Sequence, residues 1–158
     1  MYKAPASQLI ELIIPAPAAA NSPVYFQNQP QLQSVRGDKK IYIEGIETFN
    51  NYGLSGSPLT AGNPVPANAD IINMTLTLNV AGTLQYQQIP MSSLVRVWAD
   101  GIDTGIVNAH VEEIFGFEDL FEVDWTKSYV QLINAPVSTP PYSCLFNVYY
   151  RWELVTGN

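Results

Sequence analysis

A chain of 158 residues, 47% hydrophobic and 13% charged, is long enough to bury one core and too apolar to be disordered. The net charge is −7, and the seven basic residues are scattered, with Lys39 and Lys40 the single adjacent pair. This excludes packaging nucleic acid through a basic arm and docking on anionic lipid, and the lack of a long apolar run excludes a membrane-spanning helix.

Residues 1–22 read as an N-terminal arm with one short strand, and 23–158 as a single β-sandwich domain. The arm's strand is 8–14 (QLIELII), ended by Pro15 and Pro17, which remove backbone donors. Lys3 and the Ala18-Ala19-Ala20 run match parts of a secretory signal in outline, but Glu11, Pro15 and Pro17 interrupt the apolar stretch, so none is expected. Residues 24–35 carry Gln at alternate positions and read as a strand with an edge or bulge at Pro30. The Arg36-Gly37-Asp38 tripeptide after it spells an adhesion motif, but a tight turn built on Gly37 explains it as well.

Residues 40–48 alternate as a strand. Residues 50–70 then hold Gly53, Gly56, Gly62, Pro58, Pro64 and Pro66 and read as a long loop suited to contacts between subunits. Residues 72–80 (INMTLTLNV) alternate cleanly, with Ile72, Met74, Leu76, Leu78 and Val80 facing in. Ala81-Gly82 turns the chain into 83–89, with Leu84 and Tyr86 inward, forming a hairpin. Residues 93–99 read as a strand, 106–121 as ambiguous between strand and short helix, and 129–133 as a strand. The longest pattern is 144–155 (CLFNVYYRWELV). Its even parity is apolar or aromatic from Cys144 to Leu154, and its odd parity is mixed. Cys144, the single cysteine, falls on the apolar parity and reads as a buried, inert thiol. Eight or nine short strands and no long amphipathic helix predict an all-β fold. We expect a two-sheet antiparallel β-sandwich forming a single jelly roll of about eight strands.

Chemistry is sparse. Asp100, Asp103, Glu112, Glu113, Glu118, Asp119, Glu122 and Asp124 fall in a stretch without Lys or Arg. An exposed acidic edge explains them. A calcium site on Asp100, Asp103 and backbone carbonyls is the sharper expectation, since Ca²⁺ takes about six to eight oxygens. Glu112 and Glu122 are the pair a glycoside hydrolase would use. His110 is the single histidine, which rules out a multi-histidine zinc site within one chain. The Gly53-Leu54-Ser55-Gly56-Ser57 run misses the last glycine of a nucleophile elbow. No catalytic residue and no cofactor other than calcium is expected. Among the tryptophans, Trp98 and Trp152 lie in strand patterns. Trp125, between Asp124 and Thr126, is the one expected to be exposed and able to stack a sugar ring.

An average protein carries about 25% charged residues, so the surface here must be mostly Asn, Gln, Ser and Thr. Interface cores are depleted in charge and enriched in aromatics, and such a surface is suited to facing other protein. The closing stretch 128–155 (SYVQLINAPVSTPPYSCLFNVYYRWELV), a Pro-rich loop leading into a long aromatic strand, resembles the end of viral capsid jelly rolls. The polar strands of 72–89 (INMTLTLNVAGTLQYQQI) fit the same picture. The family it resembles is the shell or penton proteins of icosahedral tailless bacteriophages.

The resemblance implies a structural virion protein that self-assembles with copies of itself and other capsid proteins, in the host cytoplasm. Lacking a basic arm, it suits a shell that surrounds an internal membrane without inserting into it. The chain length allows one jelly roll, hence a single-jelly-roll shell subunit or a vertex protein. On this reading, deleting residues 1–20 leaves the fold intact and abolishes assembly. The alternative is a non-catalytic carbohydrate-binding or adhesin module using Trp125.

Overall fold

The structure is a computed structural model and describes residues 4–16, 18–27, 39–49, 63, 65–80, 86–95, 97–100, 108–111, 115–136 and 140–154. Its elements in order are β1 (Ala4–Ile14), β2 (Pro23–Tyr25), β3 (Lys39–Thr48), the one-turn helix α1 (Asn68–Ile72), β4 (Met74–Asn79), β5 (Tyr86–Pro90), β6 (Val97–Asp100), β7 (Asn108–Val111), β8 (Phe115–Phe121), β9 (Tyr129–Leu132) and β10 (Tyr142–Leu154).

The alternation of β10 explains its place. Cys144, Phe146 and Val148 are fully buried on one parity. The strand runs through the middle of its sheet, paired with β1 on one side and β3 on the other. That sheet has the order β1-β10-β3-β8, and the second sheet has the order β2-β9-β4-β5. Setting aside the β6–β7 hairpin, the eight strands run 1-8-3-6 and 2-7-4-5. The pairs are nested and antiparallel: first with last, second with seventh, third with sixth, fourth with fifth. This is one long ribbon folded back between β4 and β5 and wrapped into two sheets, the arrangement of a jelly roll. The all-β sandwich expected from the sequence is therefore the observed fold, with an added hairpin between β5 and β8.

The core lies between the sheets. Ile10, Leu12 and Phe146 from the first meet Leu76, Leu78 and Val130 from the second. Phe26 bridges them, tilted on Phe146 with ring centroids 5.4 Å apart and edge-on to Trp125 at 5.2 Å. Burial pushes the Cys144 thiol well above its ordinary range, so the inert reading of this residue holds.

Several expectations need correcting. The strand expected at 8–14 extends over residues 4–14. All eleven pair with β10, from Ala4 opposite Trp152 to Ile14 opposite Tyr142. Ala4 to Ser7 are poor strand formers by themselves, and pairing with β10 carries the strand through them. Ile72 does not face the core: it ends α1 and is 61% exposed. The Asn73 side chain bonds to Asn134 and Ala135 and breaks the alternation just before Met74.

On β5 the register places Ile89 opposite Leu76 and Tyr86 opposite Asn79, so the inward parity is that of Ile89. The strand expected at 93–99 begins instead as a 3₁₀ turn, Met91–Leu94, whose buried Met91 and Leu94 share one side at three-residue spacing. The ambiguous stretch resolves into β7 and β8, the latter made a strand by pairing with β3. Of the strand expected at 24–35, β2 is the described part. The Arg36-Gly37-Asp38 turn and most of the 50–70 loop lie outside the described residues.

Candidate functional site

The odd parity of β10 faces away from the core and carries a ladder of paired polar groups. Ser143 Oγ donates to Glu11 Oε2 at 2.6 Å. Asn147 Nδ2 and the Tyr149 hydroxyl both donate to Glu47 Oε1, at 3.1 and 2.9 Å. Arg151 grips Glu44, with Nη2 to Oε1 at 3.1 Å and Nε reaching both carboxylate oxygens at 3.3 Å. The Tyr42 hydroxyl donates to Glu153 Oε1 at 2.8 Å. That bond, then burial and the negative charges of Glu153 and Glu122, pushes Tyr42 up to about 12.

The register explains the ladder: Glu47 stands opposite Asn147, and Tyr42 opposite Arg151 beside Glu153. Glu47 is only 5% exposed, and a carboxylate so buried is expected to be hydrogen-bonded. The Glu44–Arg151 pair is more open, and such exposed pairs add about 0–1 kcal/mol. Each carboxylate of this ladder is engaged by a donor from a neighbouring strand. The ladder holds register, and it contains no pair poised as acid and base across an open gap.

An opening lies where the two edge strands β1 and β2 meet. It is a cleft of ≈ 390 Å³, with Leu12 and Val24 in its walls and Glu11, Ile13, Tyr25 and Gln27 around them. Tyr25 is 45% exposed and packs edge-on to Tyr129 at 5.4 Å. Leu9 and Ile13, on the outer face of β1, are also exposed. Small-molecule pockets usually start at about 300 Å³. This one sits at that lower end.

The residues singled out from the sequence are described only in part. Trp125 is the clearest correction. It starts a 3₁₀ turn (Trp125–Lys127) capped by Asp124, which accepts from the Thr126 N–H at 3.2 Å and the Thr126 hydroxyl at 2.6 Å. The turn directs the ring onto Phe26, leaving Trp125 7% exposed, with no face for a sugar.

Asp100 ends β6, and its expected calcium partner Asp103 lies outside the described residues. Among the described residues no group of three His, Cys, Asp or Glu could hold a metal. Glu122 pairs with Lys40 at 3.7 Å, and its hydrolase partner Glu112 lies outside the described residues. His110 stands on β7 opposite Trp98, in the hairpin outside both main sheets.

Sequence reasoning missed Tyr25, Ile72 and Ile133 as exposed apolar groups. The signal that could have found them was the absence of charge in the segments around them. No helix among the described residues is long and apolar enough to cross a membrane. Comparison with protein-family models, curated proteins and solved structures found no match to this chain.

Proposed function

We propose that this chain is a structural shell subunit, a single jelly roll that works by self-association within an icosahedral, virus-like capsid. Its place would be the major shell or the vertex, in a virion assembled in the host cytoplasm. The observation that carries this reading is the strand order 1-8-3-6 and 2-7-4-5 in a chain with 13% charged residues. The same architecture also serves lectins and cupins, and fold alone does not choose among them. Two features favour the shell. The ring expected to stack a sugar, Trp125, is in the core. A single histidine cannot supply a multi-imidazole metal centre.

The mechanism would be burial of neutral, partly aromatic surface between copies, with partners of the same kind and other capsid proteins. Light scattering coupled to size exclusion, with micrographs of any large peak, tests it. Trimers, pentamers or closed particles are expected, and a monomer at every concentration overturns self-assembly. The carbohydrate reading would then pass from Trp125 to Tyr25, the exposed ring beside the cleft.

A further inference from the structure

Antiparallel pairing sorts the connections between strands to two ends of the sandwich. Four leave at the end where β1 finishes and β10 begins: residues 15–22, 49–73, 91–114 and 133–141. Three of them, 15–22, 49–73 and 133–141, contain a single charged residue, Asp70, and it is 2% exposed. The fourth, 91–114, carries Arg96, Asp100, Asp103, Glu112 and Glu113. The described residues of the connections 15–22, 49–73 and 133–141 thus carry no exposed charge.

These neutral connections are also where apolar side chains are most open. Ile72 and Ile133, at 61% and 47%, are the two most exposed large apolar residues among those described. They are neighbours, because the Ile133 N–H donates to the carbonyl of Asn73 at 2.8 Å. The Asn73 side chain fixes the pair further. Its Nδ2 donates to the carbonyls of Asn134 and Ala135, both at 3.1 Å, and its Oδ1 accepts from the Asn134 N–H at 2.9 Å. Asn73 itself is buried. The two isoleucines are thus presented on a braced backbone, and a braced surface loses little conformational freedom on binding.

We infer that this neutral end, centred on Ile72 and Ile133, is the surface through which two copies of the chain meet. The inference rests on the self-association proposed above and assigns it a place. Charge selects the occupant. A basic partner would be drawn to the acid-rich stretch between Asp100 and Asp124. A second copy carries the same net charge of −7, and it can approach within a Debye length, about 8–10 Å, at least cost where charge is missing. Apolar side chains at the centre of a surface without charge have the composition of an interface core.

The test is a double variant, Ile72→Asp with Ile133→Asp, in the full chain. Its mass is measured by light scattering over a range of concentrations, and its fold by thermal melting in circular dichroism. The control is Leu120→Asp on β8, an exposed apolar residue away from this end. The wild type and Leu120→Asp are expected to be multimeric, and the double variant to be monomeric or to need at least tenfold more protein to associate. A folded double variant that assembles like the wild type overturns the placement and leaves self-association standing. A wild type that is monomeric throughout overturns self-association itself. Should the double variant fail to fold, Ala135→Glu, exposed on the same patch, takes its place with the same readings.

Discussion

Deleting residues 1–20 removes β1 and three side chains of the core, Ile10, Leu12 and Ile14, none more than 3% exposed. Fully burying one such side chain is worth about 1.5–3 kcal/mol, so the three together amount to about 5–9 kcal/mol. The deletion also takes the partner of β10 along eleven residues, from Ala4 to Ile14. A domain's whole stability is about 5–15 kcal/mol. The shortened chain is therefore expected to be unfolded or aggregated, and not a folded subunit that merely fails to assemble. Urea unfolding followed by circular dichroism and tryptophan fluorescence gives the reading. A cooperative transition with the midpoint of the full chain would refute this account of β1. Leu12→Ala puts a number on the same contact: a loss of about 2–5 kcal/mol is expected.

Three further outcomes follow from particular groups. The Tyr142 hydroxyl is buried without a hydrogen-bond partner among the described residues, so Tyr142→Phe is expected to keep or raise stability by up to about 1–2 kcal/mol at pH 7. A loss beyond about 1 kcal/mol would reveal a partner for that hydroxyl. Burial first, then the charge of Asp70, pushes Tyr142 from 10.0 up to about 12. The unfolded chain therefore releases this proton from pH 10 upward while the folded chain keeps it to about 12. The stability is complete below pH 10 and falls as pH rises through that window, with Tyr42 adding to the fall. Urea titrations at pH 10, 11 and 12 should show a shallower fall in Tyr142→Phe, and an unchanged slope would contradict the assignment.

Trp125→Ala is expected to cost about 3–5 kcal/mol in a thermal melt. Native stability combined with lost glycan binding would instead restore the sugar-platform reading. Added calcium is expected to leave the melting temperature unchanged, and a rise abolished by Asp100→Asn would establish the Asp100–Asp103 site.

The sandwich was legible because its strongest strands alternate by themselves. β10, β4 and β9 keep apolar side chains on one parity, and the structure buries Phe146, Leu76 and Val130 accordingly. Other elements owe their form to partners distant in sequence. Ala4 to Ser7 have little strand preference, and pairing with β10 makes them a strand. Period-two reading also carried Ile72 into β4, because one asparagine's bonds to residues 134 and 135 cannot be seen locally. Trp125 misled for a related reason: a short polar setting, Asp-Trp-Thr, marks a turn but not the side to which the turn directs the ring. Parity gives a side chain's face and not its exposure. Thr77, Asn79 and Ser143 point away from the core, yet all three are buried. The candidate contact surface needed both levels, since the charge count is in the sequence and the convergence of its segments is in the topology.

The nesting of first strand with last sets the order in which this protein can be made. Residues 4–14 leave the ribosome long before their partner, residues 142–152. At about 5–20 residues per second, β1 waits on the order of ten seconds with Ile10, Leu12 and Ile14 uncovered. Contacts this far apart in sequence also make for slow folding. A product that stops before Tyr142 lacks the strand joining β1 to β3, so it has neither a finished first sheet nor a closed core. Translation through β10 is therefore the step that completes the sandwich core.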